Sequence, residues 1–136
     1  MGTHKDLYIW QDGIQLVEIV YRLTASFPPS ELYGLCSQMR RASVSVPSNI
    51  AEGAARQGEK EFVQFLYIAL GSLSELETQC IIAHRLNYTD EHQIFEAIEA
   101  LRRKLLNFIK QRKNGQKEFE GVKSLKRGSG EAVFPH

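Results

Sequence analysis

Four histidines and two cysteines are the residues of this 136-residue chain best suited to metal or catalytic chemistry. Di-iron sites in helix bundles need a Glu three residues before a His on facing helices. His84 and His92 are preceded at that spacing by Ile81 and Thr89, and His4 and His136 sit at the chain ends, so no Glu-x-x-His is present. Cys36 and Cys80 do not have the Cys-x-x-Cys spacing of zinc sites. Neither a Gly-x-x-x-x-Gly-Lys phosphate cradle nor a Gly-x-Ser-x-Gly elbow occurs. Gly71-Ser72 falls inside an apolar-periodic run and reads as a point of close helix packing. No catalytic residue, cofactor site or metal ligand is expected, and the chain reads as a non-enzyme.

Two other constellations could bind a partner. Arg102, Arg103, Lys104, Lys110, Arg112 and Lys113 crowd one stretch, and Arg103 and Lys110, seven apart, share a helix face. Such cations either hold phosphate or form a solvated face that complements the negative end of a helix. No aromatic is interleaved with them for base stacking, so sequence-specific readout is not expected. The second constellation is Ser43-Val44-Ser45-Val46-Pro47-Ser48-Asn49-Ile50-Ala51-Glu52-Gly53. Pro47 removes a backbone donor and crowds the Ser43 carbonyl, a cost of about 3 kcal/mol inside a helix, and predicts a kink. Ser43, Ser45 and Ser48 could satisfy loosened carbonyls, while Asn49 and Glu52 share a helical side. This segment is either a kinked helix curving round a neighbour or a shaped polar face for a partner.

Four helical segments would have to position these groups. Leu7, Trp10, Ile14, Val17 and Tyr21 follow a 3-4 rhythm, with Thr3 and Asp6 resembling a capping box, and Phe27-Pro28-Pro29 ends the first helix. Ser30 reads as the cap of the second, whose seam is Leu32, Leu35, Met39, Ala42, Val46 and Ile50, with Gly58 as its stop. Phe62, Phe65, Ala69, Leu73, Leu76, Cys80 and Ala83 line the third, which ends near Asn87. Thr89 reads as the cap of the fourth, with Ile94, Ile98, Leu101, Leu105 and Phe108 as its seam and Asn114-Gly115 as its end. Connections this short impose alternating directions. The fold class is all-α, an antiparallel up-down-up-down four-helix bundle over residues 1–113 followed by a flexible basic tail over 114–136.

A second apolar set widens several faces: Ile9, Leu16, Val20 and Leu23 in the first helix, Val63, Tyr67, Leu70 and Ile81 in the third, Phe95, Leu106 and Ile109 in the fourth. The first helix is apolar over about 200°, against the roughly 100° stripe a surface helix needs. Either two bundle neighbours cover this width or another subunit does. Folding the second and third helices about residues 57–58 brings Arg40 and Arg41 opposite Ser74-Glu75, which predicts pairing with Glu75 or Glu77 within or between chains. The same register brings the two cysteines near each other.

Residues 1–112 hold 12 Lys/Arg and 13 Asp/Glu, and residues 113–136 hold 5 and 3, so the formal charge of +1 demands no polyanion. No run approaches the ~20 apolar residues of a membrane span, and no signal-peptide core precedes the first helix. Two cysteines are too few for a disulfide scaffold, so reduced thiols and a cytoplasmic setting are expected.

At Ser45-x-Pro47-x-Asn49-Ile50-Ala51-Glu52-Gly53 the chain resembles the 23S rRNA-intervening sequence protein family, also called four-helix bundle protein. Leu7-Tyr8-Ile9-Trp10, Phe27-Pro28, Glu31-Leu32-Tyr33-Gly34-Leu35 and Gln38-Met39-Arg40-Arg41-Ala42 match as well. So does Phe62-x-x-Phe65-Leu66-x-Ile68-Ala69-x-Gly71-Ser72-x-x-Glu75-Leu76-Glu77, so the likeness covers about residues 5–88. The resemblance implies a bacterial protein assembled as a ring-like homopentamer. The family is similar in fold to the accessory variability protein of diversity-generating retroelements, a pentamer that binds a reverse transcriptase and nucleic acid. By that likeness a basic rim on the oligomer would hold structured RNA or DNA. An adaptor for a reverse transcriptase is the alternative.

Overall fold

The computed structural model describes the backbone of residues 2–128 and the side chains of residues 2–115. Four helices make up the fold: α1 (Tyr8–Thr24), α2 (Leu35–Ala54), α3 (Glu59–Arg85) and α4 (Gln93–Gly128). Short 3₁₀ turns at His4–Asp6 and Pro29–Glu31 precede α1 and α2. Contacts run α1–α2, α2–α3, α3–α4 and α1–α4, with no diagonal pairing among the described residues, so the bundle is four-sided. Its axis is filled by Leu16, Met39, Ile50, Leu66, Leu73, Leu76, Ile98 and Leu105, each at most 2% exposed. Burying a side chain of this size stabilises by roughly 1.5–3 kcal/mol before the chain entropy that opposes it.

The ends of the helices show how local chemistry sets their limits. Thr3 and Asp6 form the expected capping box, with Asp6 Oδ2 accepting from the Thr3 N–H at 3.0 Å, but it closes the 3₁₀ turn and α1 begins at Tyr8. Ser30 is not the cap of α2. Glu31 Oε1 accepts from the Leu35 N–H at 3.2 Å, because the tight turn after Pro29 moves the helix start four residues past Glu31. Asn87 takes a φ of 62°, and the Tyr88 and Asn87 N–H groups reach back to the Ala83 and His84 carbonyls, a Schellman close of α3. Thr89 Oγ1 accepts from Glu91 N–H at 3.1 Å, ahead of an α4 that starts only at Gln93.

Two expectations for the helices change. In α1 the second apolar set is the core: Ile9, Gly13, Leu16, Val20 and Leu23 are buried, while Tyr21 is 44% exposed. Both sets keep the helical rhythm, and the buried one is the face that carries Gly13. A Cβ there would lie 3.2 Å from the Pro47 Cβ, so glycine lets α1 cross α2 at the buried proline. The helix α4 does not stop at Asn114-Gly115 but runs to Gly128. One exposed glycine costs about 1 kcal/mol in a helix, and the Gln116, Lys117, Glu118 and Glu120 around it are favourable types or close to it. The expected flexible tail therefore overlaps a helix up to residue 128, and its remainder, residues 129–136, lies outside the described residues.

Candidate functional site

Part of the polar chemistry around Pro47 is used inside the protomer. Helix α2 continues unbroken through Pro47, and the Asn49 amide donates to the Ser45 carbonyl at 2.8 Å and to Ser45 Oγ at 2.9 Å. Ser45 Oγ in turn lies 2.8 Å from Ser72 Oγ, joining α2 to α3. Ser43 Oγ donates to the Arg40 carbonyl at 2.8 Å, and Glu52 pairs with Arg56 at 3.6 Å. These bonds join α2 to α3 and serve the Arg40 and Ser45 carbonyls, but none of them reaches the Ser43 carbonyl that loses its donor at Pro47, and Ser48 and Glu52 stay exposed on the outer side.

The six cations of α4 do not form one patch. Successive residues turn by about 100°, which sends neighbours to different sides of the helix. Arg102 reaches α3, where its Nη2 lies 3.0 Å from Glu77 Oε1 and its Nη1 3.3 Å from Glu77 Oε2, with Glu99 Oε2 at 2.6 Å. These carboxylates, Glu77 foremost, hold the Arg102 pKa above its ordinary value. Lys104 turns the other way, to Asp12 of α1 at 2.6 Å. Arg112 pairs with Glu59 at 2.9 Å and lies over the Phe62 and Phe108 rings, while Lys113 donates to the Tyr67 hydroxyl at 3.1 Å. Arg103 and Lys110 alone of the six are exposed with no hydrogen-bond or ion-pair partner among the described residues.

The pairing of Arg40 or Arg41 with Glu75 or Glu77 is not made within the chain. Arg40 Nε donates to Thr24 Oγ1 at 2.9 Å with its guanidinium 4.6 Å from the centre of the Tyr21 ring, and Glu77 belongs to Arg102. Glu75 is exposed and accepts from the Gln79 amide at 3.2 Å. Arg41 is exposed with no ion-pair partner among the described residues.

Large apolar side chains left in water are the feature the periodicity underestimates. Tyr21, Leu32, Tyr33 and Val44 surround a hollow on the α1–α2 side together with Arg40 and Arg41, and Tyr33 is 93% exposed. Ile68, Ile82 and Leu86 are each about half exposed on α3. Tyr67, Ile81 and Leu106 emerge between α3 and α4. Tyr33 has no place in a seam; the signal that marks it is its position in the non-helical turn after Pro29, where a core side chain is not required.

Both thiols are buried and unbridged. Burial pushes Cys80 up to about 12, helped by the nearby Glu77 and Glu91 charges, and desolvation also raises Cys36, whose Sγ donates to the Thr24 carbonyl at 3.5 Å. The His84 and His92 rings lie 4.8 Å apart, and His84 Nε2 lies 2.7 Å from the Glu91 carbonyl. No three His, Cys, Asp or Glu side chains gather in a metal-binding group among the described residues. Nor is any described helix long and apolar enough to cross a membrane.

No curated protein matches the chain. The model of one family, described as 23S rRNA-intervening sequence protein, matches residues 5–111, which takes in α1, α2, α3 and the first half of α4. On that match over most of its length, the chain belongs to the 23S rRNA-intervening sequence protein family.

Proposed function

We propose that the chain is a non-enzymatic, self-assembling bundle in the cytoplasm, five copies to a ring, that holds nucleic acid such as structured RNA through a repeated basic ridge. The observation that carries the assembly is the set of large apolar side chains exposed on more than one side of a protomer whose own core is complete. Patches on different sides favour head-to-tail contacts, which close into rings when the rotation allows. The number five follows from the family resemblance.

Support for the nucleic-acid half is narrower than the run of cations suggests. Arg103 and Lys110 carry it, since the other four cations already have partners. The two unpaired cations of this α4 run hold phosphate weakly in one protomer, and repetition round a ring multiplies the effect. Fluorescence anisotropy with a labelled RNA hairpin tests this. Affinity is expected to fall steeply between 50 and 200 mM salt. The Arg103→Glu/Lys110→Glu variant is expected to lose at least tenfold in affinity, whereas Lys104→Gln is expected to change it little. Absence of binding to RNA and DNA at low salt sinks this half and leaves the adaptor reading, in which the ring holds a protein such as a reverse transcriptase.

A further inference from the structure

Arg41 and Glu75 are exposed, opposite in charge, and unpaired with any ion among the described residues. Each sits in an apolar surround: Arg41 beside Tyr33 and Val44, Glu75 between Ile68 and Ile82. Residues 68, 75 and 82 are spaced by sevens and so form one stripe along α3. That stripe lies on the α2-facing flank of α3's outer surface, because Ser72 beside it is bonded to Ser45 of α2, whereas Glu77, bonded to Arg102 of α4, marks the opposite flank.

We propose, on the assembly reading above, that the α1–α2 hollow of one copy docks on this α3 stripe of the next, with Arg41 of the first paired to Glu75 of the second. The occupant is a second copy because the two surfaces match level by level. The Ser45–Ser72 bond fixes which residues of α2 and α3 share a height along the bundle. Arg41, four residues before Ser45, is level with Leu76, the neighbour of Glu75. Val44 is level with Leu73, two residues or about 3 Å along the axis from Gly71, and the N-terminal end of α2, preceded by Leu32 and Tyr33, is level with Ile82. A rotation about an axis parallel to the bundle keeps heights unchanged. It therefore brings charge against opposite charge and apolar against apolar at once.

Gly71 adds an independent observation. It lies on the same outer surface, in mid-helix, and a Cβ there would meet nothing within 4 Å. The protomer has no use for a glycine at this position, which costs about 1 kcal/mol of helix stability relative to alanine. Close approach of a neighbouring copy near the level of Val44 uses it. The third exposed patch, between α3 and α4, lacks this complementarity: Glu77 and Glu99 beside it are already held by Arg102. Gln79, 5% exposed, steadies the Glu75 carboxylate and so presents it outward.

Charge exchange with mass as the readout tests the pairing. Wild type is measured first by light scattering, since a wild-type mass of 15.5 kDa at all concentrations would remove the assembly reading itself. If wild type assembles, Arg41→Glu and Glu75→Arg are each expected to weaken assembly at least tenfold with unchanged helical circular dichroism. The double exchange is expected to restore the wild-type mass. Gly71→Leu is expected to dissociate the assembly without loss of helix. Single variants that keep the wild-type mass, or a double exchange that stays dissociated, overturn the proposed pairing while leaving self-assembly intact.

Discussion

Replacing Arg102 by alanine is expected to cost 1.5–3 kcal/mol in urea unfolding, about the value of a charge-assisted hydrogen bond. It strands the partly buried Glu77, only about a third exposed, without its forked partner. Arg103→Ala, one residue on, is expected to stay within about 0.5 kcal/mol of wild type. The sequence displays six similar cations and gives no sign of this difference. Their partners lie 25, 92 and 53 residues away for Arg102, Lys104 and Arg112, and they meet only once helix order and register are set. The Asn49–Ser45 bond spans only one turn, yet the residue pattern puts Asn49 with Glu52 and does not single out this bond. Cys80 gives a pH signature at the same scale. Its folded pKa of about 12 stands above the ordinary 9.0, so the folded state holds its proton more tightly than the unfolded chain. The resulting stability is fully present below about pH 9 and is lost as pH rises towards 12, at up to roughly 1.4 kcal/mol per unit. Unfolding curves from pH 8 to 11 are expected to show that decline, and Cys80→Ala is expected to flatten it, leaving a residual slope from Tyr88, whose hydroxyl is raised by its bond to Glu31, and from Cys36, whose thiol is raised by desolvation.

Two glycines make opposite statements about the helices that carry them. At Gly53 a Cβ would fall 2.7 Å from the Phe65 Cβ and 2.9 Å from the Phe62 Cδ1, atoms close to the α3 backbone with little room to yield. Gly53→Ala is expected to destabilise by about 1–3 kcal/mol, as overpacking does, in spite of alanine's better helix propensity. Gly71→Ala, made in a dissociated Arg41→Glu background, is expected to stabilise by about 1 kcal/mol; a loss would mean that the protomer itself needs that glycine. Helix α2 was readable from Leu35 to Ile50 because its apolar rhythm there admits one face, and α3 because Phe62, Ala69, Leu73, Leu76, Cys80 and Ala83 of its expected seam are buried, although Leu32 falls outside α2 and is half exposed. Helix α1 offers two faces of equal rhythm, and the buried one is the face whose Gly13 lies against Pro47, a tertiary fact. The start of α2 is hidden for a related reason: the 3₁₀ turn after Pro29 moves the N-cap to Gly34, beyond the reach of Ser30, and leaves the Glu31 carboxylate to accept from the Leu35 N–H.

At the scale of the molecule, the core closes around four helices, yet Tyr33 and its neighbours on α1–α2, the Ile68–Ile82 stripe and the α3–α4 patch all remain in water. A lone soluble protomer rarely exposes apolar surface on several sides, so sister copies are the economical cover. Sedimentation equilibrium of the wild-type chain over a hundredfold range of concentration addresses this claim most directly. The expected result is a single species near five times 15.5 kDa that persists on dilution; a species of 15.5 kDa at every concentration would contradict it.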